Sequence, residues 1–346
     1  MEWNFTLVRR DGKAINERYR PMRFSELIGN QSMKTRFANW IQQDPKERKR
    51  ALLLCGTSSG GKTTTAKILA MGLNCEHGDT LEPCLECKAC KSAMNETAYN
   101  IIERNMADYN KVEDARNLSA EIKLNSLSGR NKVYILDEVQ RMTSDAQNVL
   151  LKDIENPPRN VYLIFCTTEP NKLLPTLRNR CAVYNYELPT RADIIQILGD
   201  VVRLEEIKME DDEKRDFLEF AQGLTYREIL EALESFKMGG EVSKCFGEAR
   251  KQLNEIAFAV IYKGDLETYK SVLAQGDNID FEALRRMMRM MAGKELEKNF
   301  SNLAKAEKYA EIVEILDEHP MFDYSPRPTC SSMVFQISLL VKSMSR

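Results

Sequence analysis

The chain has 346 residues, 43% of them hydrophobic and 29% charged, with a formal net charge of −2. That length allows two or three domains with real cores, and the near-neutral balance excludes binding to nucleic acid through an overall basic field, so any such contact must be a local patch. Nine cysteines, an odd number in a long chain, argue against a disulfide framework and for a reducing compartment. The start, Met1-Glu2-Trp3-Asn4, is polar and has no apolar h-region, so no signal peptide is expected. The longest apolar runs, such as Val161–Cys166, fall far short of the ~20 residues that span a bilayer.

Taken in chain order, Ala51–Cys55 reads as a strand and Lys62–Asn74 as a helix. Asn100–Arg104 reads as a strand, Lys111–Asn125 as a helix, and Lys132–Leu136 as a strand. Thr143–Glu155 follows as a helix, then Val161–Cys166 and Ala182–Leu188 as strands. Short β-rich runs alternating with amphipathic helices predict a parallel sheet with helices on both faces. After Pro189 the strand signal stops. Thr190-Arg191-Ala192-Asp193 looks like a capping box, and helical periodicity then runs almost to the end, broken at Gly223, Gly239-Gly240, Gly264 and Asp277-Asn278. Domain boundaries are expected near 189 and 240. No fixed-period repeat interrupts this plan.

Between the first strand and its helix stands Gly56-Thr57-Ser58-Ser59-Gly60-Gly61-Lys62-Thr63, a match to the phosphate-loop pattern Gly-x4-Gly-Lys-Ser/Thr. Its glycines let backbone N–H groups wrap phosphates while the helix aims its positive end at them. Lys62 then reaches the β- and γ-phosphates, and the Thr63 hydroxyl binds magnesium, with Thr64 next in the cradle. The partner acid should end another apolar strand. Val133-Tyr134-Ile135-Leu136-Asp137-Glu138 fits, with Asp137 as the second magnesium residue and Glu138 as the base that orients the attacking water. No Asn-Lys-x-Asp guanine-reading motif is present, since Asn110-Lys111-Val112-Glu113 ends in Glu; this favours ATP over GTP.

Twelve residues past Thr63 comes Cys75, and Cys84, Cys87 and Cys90 follow at x8, x2 and x2 spacing. Four thiolates so close suit tetrahedral zinc, and a site closed by four of them is structural. His77 is a minor alternative ligand. The x2-x2 run also opens an iron–sulfur pattern, but Met94 occupies the place of its next cysteine. The other five, Cys55, Cys166, Cys181, Cys245 and Cys330, read as small core residues.

These landmarks together resemble the large ATPase subunits of bacterial replicative sliding-clamp loaders, the tau/gamma family of the AAA+ class. The resemblance covers roughly residues 13–240. It includes Glu17-Arg18-Tyr19-Arg20-Pro21, Phe24–Gly29, Gly72-Leu73-Asn74-Cys75, Lys111–Arg116, Asp137-Glu138-Val139, Leu150-Leu151-Lys152, Glu155-Asn156-Pro157-Pro158, Thr167-Thr168-Glu169-Pro170 and Arg180-Cys181. It implies a sensor role beside the γ-phosphate for Thr168. It implies an arginine finger at Arg180 that acts on the neighbouring subunit's ATP, with Arg178 its rival. It places a second sensor at Arg227 on a helical lid, and Arg20 and Ile28 near the adenine. Gln140 stands where the family tends to have His, and Asn179 where it tends to have Ser.

The resemblance further implies an α/β AAA+ ATPase domain with a zinc-binding insertion at 75–90 (residues 1–189), a helical lid (190–240) and an all-α collar for oligomerisation (241–346). The long carboxyl-terminal extension of some family members is not expected here. The implied activity is ATP hydrolysis that opens a sliding clamp and loads it on primed DNA. The implied partners are companion subunits in a ring or spiral, the clamp, and primer–template DNA gripped by its phosphates. Candidates for that grip are Lys111, Arg116 and Arg141. Arg285, Arg286 and Arg289 cluster on a methionine-rich helix, Met287-Met288-Arg289-Met290-Met291, whose stripe reads as collar core or subunit seam with a solvated arginine edge. The implied location is the cytoplasm of a bacterium, infected by a virus or not. Two rival functions remain: a non-hydrolysing scaffold subunit of the same assembly, and another AAA+ DNA-remodelling motor.

Overall fold

The computed structural model describes residues 7–124, 130–246, 248–274, 281–299, 302–318 and 326–344. Met1-Glu2-Trp3-Asn4, Asn125 at the end of an expected helix, and the Asp277-Asn278 break lie outside the described residues. The chain divides into two compact units. One holds everything up to Asp193 together with Thr225–Glu231, and the other holds Ile194–Leu224 and the chain from Ala232 onward.

The first unit carries α1 (Ile15–Arg18), α2 (Gln31–Gln42), β1 (Ala51–Cys55), α3 (Lys62–Asn74), α4 (Lys88–Met94), β2 (Ile101–Asn105), α5 (Val112–Ile122), β3 (Lys132–Asp137), α6 (Ser144–Glu155), β4 (Val161–Thr167), α7 (Pro175–Arg180) and β5 (Ala182–Asn185). All five strands pair in parallel, in the order β2-β3-β4-β1-β5. The sheet's three central strands, β3, β4 and β1, are buried on both faces, as in other parallel sheets. Leu52, Leu54, Val133, Ile135, Tyr162 and Ile164 pack on one side with Phe37, Trp40, Ile68 and Leu69. Leu53, Tyr134, Leu136, Leu163 and Phe165 pack on the other with Ala115, Leu118 and Leu150. Period-two alternation within each strand therefore serves two cores at once. The order also places β1 between β4 and β5, so the connection out of β4 passes over it, and a crevice opens at the carboxyl ends of these strands.

β1 and α3 have the bounds that the sequence predicts. β2 lies one residue later than expected, and α5 is shorter at both described ends. β5 stops at Asn185 rather than Leu188 for a clear reason: its ladder partner ends at Cys55, where the chain turns at Gly56. The Tyr186 N–H still donates to the Cys55 carbonyl at 2.7 Å, but that of Glu187 turns to Asn30 Oδ1 at 2.7 Å. The expected capping box is formed. The Thr190 N–H donates to Asp193 at 2.8 Å, and the Asp193 N–H returns to the Thr190 hydroxyl at 3.2 Å, at the start of α8 (Arg191–Leu204).

The second unit is helical in its described residues. Besides the rest of α8 it contains α9 (Asp211–Phe220), the second half of α10 (Tyr226–Lys237), α11 (Val242–Cys245), α12 (Glu248–Lys263), α13 (Glu267–Ala274), α14 (Phe281–Lys298), α15 (Leu303–Glu318) and α16 (Pro326–Met344). Ile256, Val260, Leu284, Met287, Met288, Ile312, Leu316 and Ile337 share one core. The methionine stripe is thus core at Met287 and Met288. Arg289 is exposed and pairs with Asp317 at 2.5 Å, while Arg285 Nη1 donates to the Leu316 carbonyl at 2.7 Å. The side chains of Arg286, Met290 and Cys330 lie outside the described residues. Of the other scattered cysteines, Cys55, Cys166 and Cys181 are buried and Cys245 is half-buried. Among the described residues no helix is long and apolar enough to cross a membrane.

Candidate functional site

The loop after β1 is built by close approach. A Cβ on Gly56 would stand 2.7 Å from that of Tyr186, so only glycine lets the chain leave the sheet here. Gly61, at φ +92°, caps α3 in a conformation that favours glycine. Lys62, the first residue of α3, is 5% exposed, and its Nζ donates to the carbonyls of Gly56 and Thr57 at 3.0 and 2.8 Å. The ammonium is therefore held within the loop it must serve. Burial pushes its pKa down, and Cys166, Asp137 and Glu138 oppose that.

One residue on, the Thr63 hydroxyl meets Asp137 Oδ2 at 2.5 Å, joining α3 to the end of β3. Two oxygen ligands of the kind that hard cations take thus converge beside the phosphate loop, and this donor set fits magnesium. Glu138 follows with φ +54°, a left-handed geometry that costs a non-glycine residue about 1–2 kcal/mol. The turn is paid back locally: the Glu138 N–H donates to Asp137 Oδ1 at 2.8 Å, and its carbonyl accepts from the Arg141 N–H at 2.9 Å. Gln140 Nε2 donates to the Glu138 carboxylate and, at 2.8 Å, to the Thr168 hydroxyl; its Oε1 accepts from the Thr167 hydroxyl at 2.8 Å.

A cavity of about 580 Å³ opens over this loop, large enough for a small-molecule ligand. Ser58, Ser59, Gly60, Gly61, Lys62, Thr63 and Thr64 line it with Asp137 and Glu138. Arg20, Ile28 and Arg227 line it as well, so residues from four separate stretches of sequence meet there. Gly56 and Thr57 are not in the wall but hold Lys62 from behind. The Arg227 stretch is tied down within the same unit. The Tyr226 hydroxyl donates to the Tyr19 carbonyl at 3.0 Å, and Asn16 Nδ2 donates to Glu231 at 3.1 Å. Asn16, Tyr186, Leu188 and Pro189 are also in the wall. The sequence reading missed them; the break in strand pattern at Pro189 was the only local signal.

Arg180 is not brought to this cavity. It ends α7, where its Nε pairs with Glu155 at 3.0 Å and its Nη1 donates to the Thr176 carbonyl at 2.9 Å. Its side chain is 34% exposed, whereas the Nε of the rival, Arg178, is buried.

The four cysteines do converge. Their sulfurs lie within 4.8 Å of one another, and Cys84 and Cys90 are 3.8 Å apart. A tetrahedron with bonds of about 2.3 Å has edges of about 3.8 Å, so the donor set fits a soft tetrahedral ion. The Cys84 sulfur accepts from the N–H groups of Cys87 at 3.3 Å and Glu86 at 3.4 Å, and those bonds hold its pKa down to about 6. Cys87 accepts from the Cys90 N–H at 3.4 Å. Burial pushes the Cys90 thiol up. His77 is not part of the cluster.

The insertion is pressed onto α3. A Cβ on Gly72 would fall 1.9 Å from the Thr80 carbonyl oxygen. Arg130 clamps the same loop, donating to the Cys75 carbonyl at 2.7 Å and to Asp79 at 2.6 Å. Asp79 also pairs with the buried Arg48 at 2.8 Å.

Lys111, Arg116 and Arg141 are all exposed. The loop before α5 and the turn after β3 are joined by a bond from the Thr143 N–H to the Asn110 carbonyl at 3.3 Å. Arg116 pairs with Glu113 at 3.4 Å on the surface.

Residues 29–189 match the family model described as DNA polymerase III, delta subunit. The chain is 31% identical over 278 residues to DNA polymerase III subunit tau of Bacillus subtilis, covering 76% of this chain and 48% of that protein. It is 34% identical over 211 residues to subunit tau/gamma of Haemophilus influenzae, covering 61% and 30%. With subunit tau of Escherichia coli it shares 35% over 173 residues, covering 50% and 27%. The chain therefore spans about half or less of the length of these relatives. Among solved structures, a variant of Thermotoga maritima RuvB superposes with a TM-score of 0.51 at 17% identity, covering 78% of this chain and 88% of that one. That likeness shows the AAA+ fold.

Proposed function

We propose, for a chain that belongs to the tau/gamma family of clamp-loader ATPase subunits, that it binds and hydrolyses ATP as one subunit of an assembly that opens a sliding clamp and loads it on primed DNA. The observation that carries this reading is the junction of Thr63 with Asp137 beneath a phosphate loop, with Glu138 one residue further.

In this reading the loop N–H groups and Lys62 hold the triphosphate, Thr64 borders it, and Arg20 and Ile28 border the base. Thr63 and Asp137 hold magnesium, which supplies positive charge at the phosphate oxygens. Glu138 orients and deprotonates the attacking water, Thr168 reads the γ-phosphate, and Arg227 adds charge from the wall of the cavity. Arg180 serves the ATP of a neighbouring subunit, consistent with its absence from its own cavity wall. Cys75, Cys84, Cys87 and Cys90 hold a structural zinc ion. Residues 1–189 act as the ATPase domain, 190–240 as the lid and 241–346 as the oligomerising collar. Lys111, Arg116 and Arg141 contact DNA phosphates, and the site of action is the cytoplasm.

The test is phosphate release by the full chain with its co-purifying subunits, with and without a ring clamp and primed DNA. Turnover stimulated by both supports the reading. Nucleotide binding without turnover would make it a scaffold subunit. Turnover stimulated by branched DNA and indifferent to the clamp would make it another kind of motor. Failure to retain magnesium–ATP in any assembly would overturn the reading altogether.

A further inference from the structure

We infer that Gln140 is a positioning residue that links recognition of the γ-phosphate to the orientation of the base. This inference rests on the ATP-hydrolysis reading above and assigns a role to a residue which that reading leaves idle.

The geometry is specific. Gln140 lies in the short turn after Glu138 and is 7% exposed. Its amide nitrogen donates to the Glu138 carboxylate and to the Thr168 hydroxyl, and its amide oxygen accepts from the fully buried Thr167 hydroxyl. Thr167 is itself fixed, since its hydroxyl also accepts from the Glu169 N–H at 3.1 Å and its carbonyl from the Gly56 N–H at 3.2 Å. The opposite amide orientation would set a carbonyl oxygen against a carboxylate, so the network admits one arrangement.

The direction of donation matters. Because the Thr168 hydroxyl accepts from Gln140, its own proton is free to be donated to an anionic oxygen. A γ-phosphate oxygen drawing that proton would make Thr168 a better acceptor and polarise the amide that also grips Glu138. One amide therefore spans the end of β4 and the base at the end of β3. Gln140 touches neither nucleotide nor water in this scheme; it sets where the Glu138 carboxylate points.

The test uses the full chain with its co-purifying subunits. Gln140→Glu keeps the size of the side chain and removes both donors. Turnover should fall about 10- to 100-fold, the scale of a misplaced catalytic group. Affinity for ADP, read by displacement of a fluorescent nucleotide, should stay within about threefold because the phosphate loop is untouched. Thr168→Val should lose turnover by a similar factor, and the double variant should lose no more than the worse single one, as residues of one unit do. Gln140→Ala, which cannot bring in a repelling charge, should match Gln140→Glu in direction. The inference is overturned if Gln140→Ala turns over ATP within about twofold of the parent, if the two losses multiply in the double variant, or if ADP affinity falls in step with turnover. A parent protein that binds ATP without hydrolysing it overturns the proposed function instead, and this inference with it.

Discussion

The Thr63 hydroxyl stands 2.5 Å from Asp137 Oδ2, closing a gap of 74 residues in sequence. Thr63→Val keeps the shape of the side chain and removes one oxygen. The magnesium concentration that half-saturates ATP turnover should rise about tenfold, the ~1.4 kcal/mol scale of one charge-assisted contact. ADP affinity in chelator should not change. A magnesium titration decides, and an unmoved midpoint would remove Thr63 from the metal site.

Arg180 and Glu138 should act on the same ATP from different subunits. Arg180→Ala and Glu138→Gln should each bind ATP and each lose turnover by about 10²-fold or more. Mixed, the two inactive variants should regain part of it, because some junctions unite an intact Glu138 with an intact Arg180. No recovery on mixing would mean that the finger does not work in trans. Glu155→Gln, which only frees Arg180 from a surface pair, should leave turnover within about twofold.

One zinc per chain should accompany the purified protein, and Cys84→Ser should lose it, as measured by elemental analysis. Its melting temperature should drop by about 5–10 °C. A visible absorption band from bound iron and sulfide would replace the zinc assignment.

Lys34 gives the protein a pH signature. It is fully buried, donates to the Leu27 carbonyl, and burial lowers its pKa to about 8, against some relief from Asp193 and Glu82. The unfolded chain keeps the same proton to about pH 10.4. Between those values the unfolded state binds more protons, so stability rises with pH across that window and is flat below it for this group. The rise should be about 3 kcal/mol at most. Lys34→Met should lack it, so urea midpoints of parent and variant should differ more at pH 7.5 than at pH 9.5, with the variant the more stable at the lower value. A constant difference would mean that Lys34 is not titrating there.

Much of this site is legible in residue order, because its parts are short and local. The phosphate loop shows its glycines as a motif, although the reason for Gly56, the approach of Tyr186, is tertiary, and β1 and α3 beside it are regular enough to read at their ends. The four cysteines announce their own meeting. Other parts are set by distant neighbours. Tyr186–Leu188 carries an apolar strand pattern, yet no strand runs beside it beyond Cys55. α1, α2, α4 and α7 are absent from the sequence reading; α1, α4 and α7 are too short for a periodic signal, and Cys87 and Cys90 read as metal ligands. Gln140 reads as a mere departure from a family pattern, since its partners are the last residue of β4, Thr167, and the next residue, Thr168, far from it in sequence. Arg227 enters the cavity wall only through tertiary bonds such as the one from Tyr226 to Tyr19.

At Gly72 the main chain of the insertion lies flush against a helix, with a carbonyl oxygen where a methyl group would go. Nothing larger than hydrogen fits without lifting the loop. A saturation library at this codon should return the parent residue almost alone, while exposed positions of the same loop such as Glu76 and His77 accept many letters. Permissiveness in this segment is thus set by how near the backbones run, and a designer grafting the metal knot elsewhere would have to carry that bare position along with the four thiols.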